Sequence, residues 1–234
     1  MKRLLIITGI IAALALTTLS ANHSWGTYHW ARTANPLTLK LQDNLTSTWD
    51  PYLGVASADW SASSVIDTTV VAGVSGGCTS VDGRAVVCNG NYGRNGWLGL
   101  ATIWIDGDHI YRGQVKMNDF YFKKSPYNKP AWKQSVICQE VGHIFGLDHQ
   151  DEDFYNANLN TCMDYTSYPT TNQHPNAHDY AQLELIYAHL DPFDSSYQGV
   201  PTENRYDEHG RPIVTVERHG SKTVVTWTLW ANEG

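Results

Sequence analysis

Basic residues are scarce in this 234-residue chain: 16 Lys and Arg stand against 23 Asp and Glu, a formal charge of −7. That balance argues against nucleic acid and anionic membrane surfaces as partners, because both attract surplus positive charge. Long apolar runs are missing as well. The longest, Leu4 to Leu19, falls short of the ~20 residues a helical span needs, and no basic stop-transfer cluster follows it. With Lys2 and Arg3 before it and Ser20-Ala21 after it, the run reads as an export signal over residues 1–21. Its removal deletes two positive charges and takes the chain from −7 to −9. The expectation is a secreted, extracellular protein with no membrane contact after processing.

Cysteine is limited to Cys78, Cys88, Cys138 and Cys162. No pair has C-x-x-C spacing, which argues against a thiolate metal site. An even count in an exported chain reads first as two disulfides, with three connectivities open and buried thiols as the alternative. Cys78 and Cys88 flank a turn-rich stretch that a short staple would close. A Cys138–Cys162 bond would tie its two segments together if they meet in the fold. Internal repeats and low-complexity tracts are absent too. With 42% hydrophobic residues, the chain can bury one core, or a core with a small appendage.

Local patterns give the order of elements. Leu37 to Leu41 alternates as a half-buried strand does, and residues 50–64 suit a helix starting near Asp50-Pro51 and burying Tyr52, Leu53, Val55, Ala56 and Trp60. Val65–Val71, Ala85–Cys88, Leu98–Ile105 and Val115–Asn118 read as further strands. Asp106-Gly107-Asp108 is a turn, since it lacks the additional oxygen ligands of a calcium loop. Pro130 suits the first turn of a helix over about Ala131 to Phe145 whose Ile137, Val141 and Ile144 face the core. Asn176 and Asp179 form a cap pair for a last helix with Tyr180, Leu183, Ile186, Tyr187 and Leu190 inward. Residues 192–209 read as a linker, and Ile213–Val216 with Val224–Leu229 as a hairpin.

The chemistry concentrates in Gln139-Glu140-Val141-Gly142-His143-Ile144-Phe145-Gly146-Leu147-Asp148-His149. Side chains at i and i+4 share one helix face, so Gln139 and His143 flank Glu140 as two metal ligands flank a general base. Gly146 lets the chain leave the helix through a left-handed conformation, and His149 is then placed to return as a third ligand.

This run, the Cys162-Met163-Asp164-Tyr165 stretch and the helix after Asn176 together resemble the metzincin metallopeptidases, in particular their matrixin-like bacterial secreted branch. The likeness is carried by residues 115–190, is only architectural over residues 36–114, and stops short of the terminal hairpin. It implies an α+β fold: a mixed twisted sheet, an active-site helix, a Met-turn at Met163 and a C-terminal helix. Residues 36–191 would be the catalytic domain, and residues 210–234, outside the likeness, read from their strand pattern as a small terminal β-hairpin beyond it. It further implies Zn2+ held by His143 and His149, peptide hydrolysis with Glu140 as general base, and Tyr165 at the oxyanion. Protein or peptide substrate would lie extended along a strand edge near Gly96 to Ala101, with Trp97 and Trp104 available to shape pockets.

One position departs from the family pattern, because the first histidine ligand is Gln139. A neutral amide oxygen is a weaker zinc donor than imidazole. Three outcomes are open: Gln139 coordinates through oxygen, a neighbour among Asp148, Asp151, Tyr165, His174 and His178 substitutes, or the metal is lost. The last outcome would leave a secreted binding module on a protease scaffold.

Overall fold

The structure is a computed structural model that describes residues 23–191, 204–220 and 222–231. The expected signal segment and most of the expected linker lie outside these residues. Nine strands form one mixed sheet: β1 (His29–Trp30), β2 (Leu37–Asn44), β3 (Ile66–Ala72), β4 (Ala85–Gly90), β5 (Trp97–Asp106), β6 (His109–Asn118), β7 (Arg205–Tyr206), β8 (Pro212–His219) and β9 (Lys222–Trp230). The helices are α1 (Asp50–Trp60), α2 (Asp119–Phe122), α3 (Pro130–His143) and α4 (Ala177–Ile186). This is the α+β class the sequence led us to expect.

Strand order is β3-β2-β4-β6-β5-β9-β8-β7, with β1 beside the start of β6. Pairings on the β3 side of β6 are parallel, while β5, β9, β8 and β7 are antiparallel to their neighbours. Burial follows position in the sheet. Ala85, Val86, Val87 and Cys88 of the interior strand β4 are all buried, whereas β2 buries Leu39 and Leu41 and exposes Thr38 and Lys40, as a strand with one wetted face does. The turn between β5 and β6 contains Gly107 at φ 62°.

α1 and α3 pack on each other, and the Trp60 indole donates to the Cys138 carbonyl at 3.1 Å. Pro130 opens α3 where its missing N–H has no helical partner to lose. α4 begins with the expected reciprocal cap: the Asn176 side chain accepts from the Asp179 amide, and the Asp179 carboxylate accepts from the Asn176 amide. Val55 and Leu190, expected inside, are exposed. Leu190 lies past the end of α4, so helical spacing no longer governs its direction.

The largest correction concerns the C-terminus. The hairpin expected to stand apart is part of the main sheet, because β9 pairs with β5 from Trp97 to Asp106. Arg205–Tyr206, expected in a linker, is a strand paired to β8. The reason is the unsatisfied edge of β5. A long apolar strand cannot leave its N–H and C=O groups unpaired without cost, and β9 supplies the partners while burying Val225, Trp227 and Leu229.

Both expected disulfides form, Cys78–Cys88 with Cα atoms 5.6 Å apart and Cys138–Cys162 at 5.9 Å. They fit an oxidising, extracellular compartment. No helix among the described residues is long and apolar enough to cross a membrane.

Candidate functional site

α3 delivers Gln139, Glu140 and His143 from its last turn, and the chain then turns sharply. Gly146 adopts φ 93°, and a side chain there would collide with the Tyr28 carbonyl. The turn brings His149 back against His143, with ring centroids 4.5 Å apart. Tyr165 packs at a tilt against His149, centroids 4.5 Å apart, and Phe154 backs Tyr165 at 4.8 Å.

Met163 lies under the helix. Gly142 makes room for it, since a Cβ there would stand 2.6 Å from the Met163 sulfur. The Gln150 amide donates to the Met163 carbonyl at 2.7 Å, and the Cys138–Cys162 bond fixes this segment to α3. The helix, the loop that carries His149 and the Met163 turn are therefore one connected unit.

Each imidazole has one nitrogen committed. His143 Nδ1 donates to the Leu147 carbonyl at 3.0 Å, and His149 Nδ1 donates to Glu152 Oε1 at 3.0 Å. On each ring Nε2 is then the nitrogen left over, which is the orientation metal-ligating histidines take. Burial, then the neighbouring His149, pushes His143 well below the usual imidazole range, so this ring is neutral. Glu140 is 1% exposed, and burial lifts its carboxyl well above the ordinary carboxylate range. The nearby Ala101 amide opposes that shift without closing a well-formed hydrogen bond. Burial, with the charges of Glu152 and Glu140, likewise raises the Tyr165 phenol well above its ordinary value.

Four polar atoms beside these rings are buried without a hydrogen-bond partner: Gln139 Nε2, both Glu140 carboxyl oxygens and the Tyr165 hydroxyl. Buried polar groups are almost always paired, and these four stand together beside the two rings. The amide of Gln139 can present oxygen instead of nitrogen by a half-turn.

Two groups among the described residues have metal-ligand spacing: Asp148, His149 and Glu152 here, and His29, His189 and Asp191 elsewhere. In the first, Arg205 Nη2 sits 2.5 Å from Asp148 Oδ1 and 3.1 Å from Glu152 Oε1. One guanidinium bridges both carboxylates and offsets part of their charge, while Glu152 also holds the His149 ring. Burial raises Glu152, but the His149 hydrogen bond, its charge and Arg205 outweigh it and hold that carboxyl low.

The other proposed substitutes for the missing histidine are engaged elsewhere. His174 bonds Asp59 at 2.7 Å, His178 stacks on His23, and Asp151 accepts from the Asp153 amide. Sequence reasoning missed Glu152, Arg205 and Trp227. The His149/Glu152 spacing of three was visible, whereas nothing local ties residues 205 or 227 to residue 149.

The C-terminal part of α3 has no open face: Ser135 to His143 are all buried, whereas an amphipathic surface helix keeps one wet face. Trp227 of β9 lies parallel to His143, centroids 5.0 Å apart and planes within 6°. Trp25 meets Trp227 edge-on at 5.6 Å, and the Arg205 guanidinium covers Trp25. The β5 edge near Gly96 to Ala101, expected to receive peptide, is taken by β9, with Ala101 opposite Trp227. A cavity of about 340 Å³ remains beside Tyr165 and Glu152, walled across from them by Tyr206, Arg211, Ile213 and Trp230. No protein-family model matches the sequence, and no curated protein matches it.

Proposed function

We propose that this chain is a secreted zinc-dependent endopeptidase of metzincin type whose peptide-binding edge is covered by its own C-terminal hairpin. The observation that carries this reading is the group of unpartnered buried atoms on Gln139, Glu140 and Tyr165 beside two imidazoles anchored through Nδ1. The donor set fits zinc: two imidazoles whose Nδ1 atoms are engaged and whose Nε2 atoms are left over, an amide oxygen, and a nearby carboxyl able to exchange protons.

His143 and His149 would hold the ion, with Gln139 as the third ligand. Zinc, when bound, supplies Lewis acidity toward a water and a scissile carbonyl. Glu140 accepts the proton from the attacking water and returns it to the leaving amine; its raised proton affinity suits a group that must carry a proton between the two steps. Tyr165, held protonated by burial, donates to the developing oxyanion. Glu152 accepts from His149 Nδ1 and so would leave Nε2 to hold the ion.

A second reading has its own support. With β9 seated along β5 and Trp227 on His143, an extended peptide cannot join the β5 edge beside the site, and the chain would be a sealed scaffold used for binding. Elemental analysis and casein hydrolysis by the purified full chain separate the two. The peptidase reading expects about one zinc that His149→Ala removes, and chelator-sensitive hydrolysis abolished by Glu140→Ala. A protein that takes up no zinc sensitive to His149→Ala and cuts nothing, even as Trp227→Ala, supports the scaffold reading alone.

A further inference from the structure

At the far end of α4 the fold gathers a second set of metal-binding side chains from distant parts of the chain. His29 lies in β1, His109 begins β6, and His189 and Asp191 follow α4. The ring nitrogens point at one atom. Nε2 of His109, His29 and His189 stand 3.3, 3.8 and 4.0 Å from Asp191 Oδ1, and the His29 ring meets those of His189 and His109 at centroid distances of 4.8 and 5.0 Å.

The carboxylate at the centre is held rigidly. Asp191 Oδ2 accepts from the Arg32 amide at 2.5 Å, and the Asp191 amide donates to the Arg32 carbonyl at 2.6 Å. One oxygen is thereby satisfied by backbone and the other is turned to the histidines. The Arg32 guanidinium bonds the carbonyls of His189, Tyr187 and Val65 and the side chain of Asn35, so it does not bridge to this carboxylate as Arg205 does at the other group.

His29 fixes the chemistry of the contact. Its Nδ1 donates to the Thr27 carbonyl at 2.7 Å. That bond leaves Nε2 as the ring atom turned toward Asp191 Oδ1, 3.8 Å away, so a nitrogen and a carboxylate oxygen face each other across a gap that a cation would bridge. Tetrahedral coordination with bonds near 2.0–2.1 Å spaces ligand atoms ~3.4 Å apart. The ligand atoms of His29, His189 and Asp191 all lie within 4.8 Å of one another, a spacing that small side-chain rotations reduce to that value.

We propose that His29, His189 and Asp191 bind a divalent transition cation of the zinc class, with His109 donating to Asp191 as its positioning residue. Imidazole and carboxylate donors in this number suit zinc, and the histidine on the ligating carboxylate is the supporting contact such sites use. The ion would clamp β1 to the chain beyond α4. That clamp reaches the candidate peptidase site mechanically, because Trp25 packs on Trp227 and the Tyr28 carbonyl lies against Gly146.

The test is metal content and metal-dependent melting of the full chain, stripped with chelator and titrated with zinc, for the wild type, His189→Ala, Asp191→Asn and His149→Ala. His189 is nearly half exposed, so its substitution leaves the core intact even if Asp191→Asn misfolds. The expected result is one equivalent fewer in His189→Ala and Asp191→Asn, with at least ~10-fold weaker uptake at this site, while His149→Ala keeps this equivalent. Unchanged zinc content and an unchanged zinc-induced rise in Tm in His189→Ala would reduce the cluster to histidine–aspartate ion pairs and overturn the proposal. So would a His149→Ala protein that binds none. An equivalent lost in His189→Ala but indifferent to His149→Ala upholds this site even where the peptidase reading fails.

Discussion

Around α3 the imidazoles are anchored and the carboxyl is not: His143 and His149 each commit Nδ1 to an oxygen, while both oxygens of Glu140 are buried without a partner. Beyond α4 the order is reversed, with Asp191 pinned to the Arg32 backbone and the histidines gathered around its second oxygen. The first arrangement suits an acid–base group that must change protonation, the second a carboxylate that must stay charged. They also differ in cover. Trp227 and the hairpin seal the first cluster, whereas His109 and His189 of the second are partly open to solvent. Rigid support placed on different atoms thus gives similar side chains different chemistry.

Gly146→Ala should do the greatest damage, because it breaks what the two clusters share. At φ 93° and against the Tyr28 carbonyl, a methyl group combines backbone strain with overlap, about 4 kcal/mol of stability. Thermal melting should show both zinc equivalents weakened; a protein as stable as wild type would contradict the close approach. Removing Cys138 and Cys162 together comes next and acts on the first cluster alone. A loop of sequence separation 24 implies about 3.5 kcal/mol lost, against about 2.8 for the Cys78–Cys88 pair with separation 10. Denaturant unfolding of the two double variants should give that order, with zinc at the His29 cluster retained.

Gln139→His sharpens the comparison without removing anything. Competition titration should find zinc held ~10–100-fold more tightly at the first cluster and unchanged at the second; no change at the first would mean that Gln139 already serves or does not face the ion. The smallest effect belongs to the hairpin that covers only the first cluster. Burial raises Asp207, but the amide, guanidinium and charge of Arg211 outweigh it and hold the carboxyl below its ordinary value. A depressed folded pKa contributes stability above the unfolded value of ~3.9 and loses it as pH falls through the folded one. Melting curves of Asp207→Asn should therefore match wild type in strong acid and fall slightly below it at neutral pH; a gap that widens in acid would reverse the sign.

Much of the first cluster is legible in the order of residues. The i, i+4 spacing of Gln139 and His143, the exit at Gly146 and the return of His149 are local features within one helix and one turn. The second cluster is invisible at that level, since His29, His109, His189 and Asp191 have no mutual spacing that a periodic reading detects. The covered edge is illegible for the same reason. The alternation in Val224–Leu229 identifies a strand with one buried face, but not which strand it pairs with.

The sequence by itself determined most of the longer strands and helices, the cap at Asn176, the turn at Gly146 and the donors that share a face of α3, because each is set by steric and hydrogen-bonding preferences over a few residues. Only the tertiary structure decided that β9 closes the edge of β5, that Trp227 lies on His143 and that Asp191 collects three imidazoles. Those contacts join residues far apart in the chain, and they follow from where unsatisfied strand edges and apolar faces find partners in the packed chain.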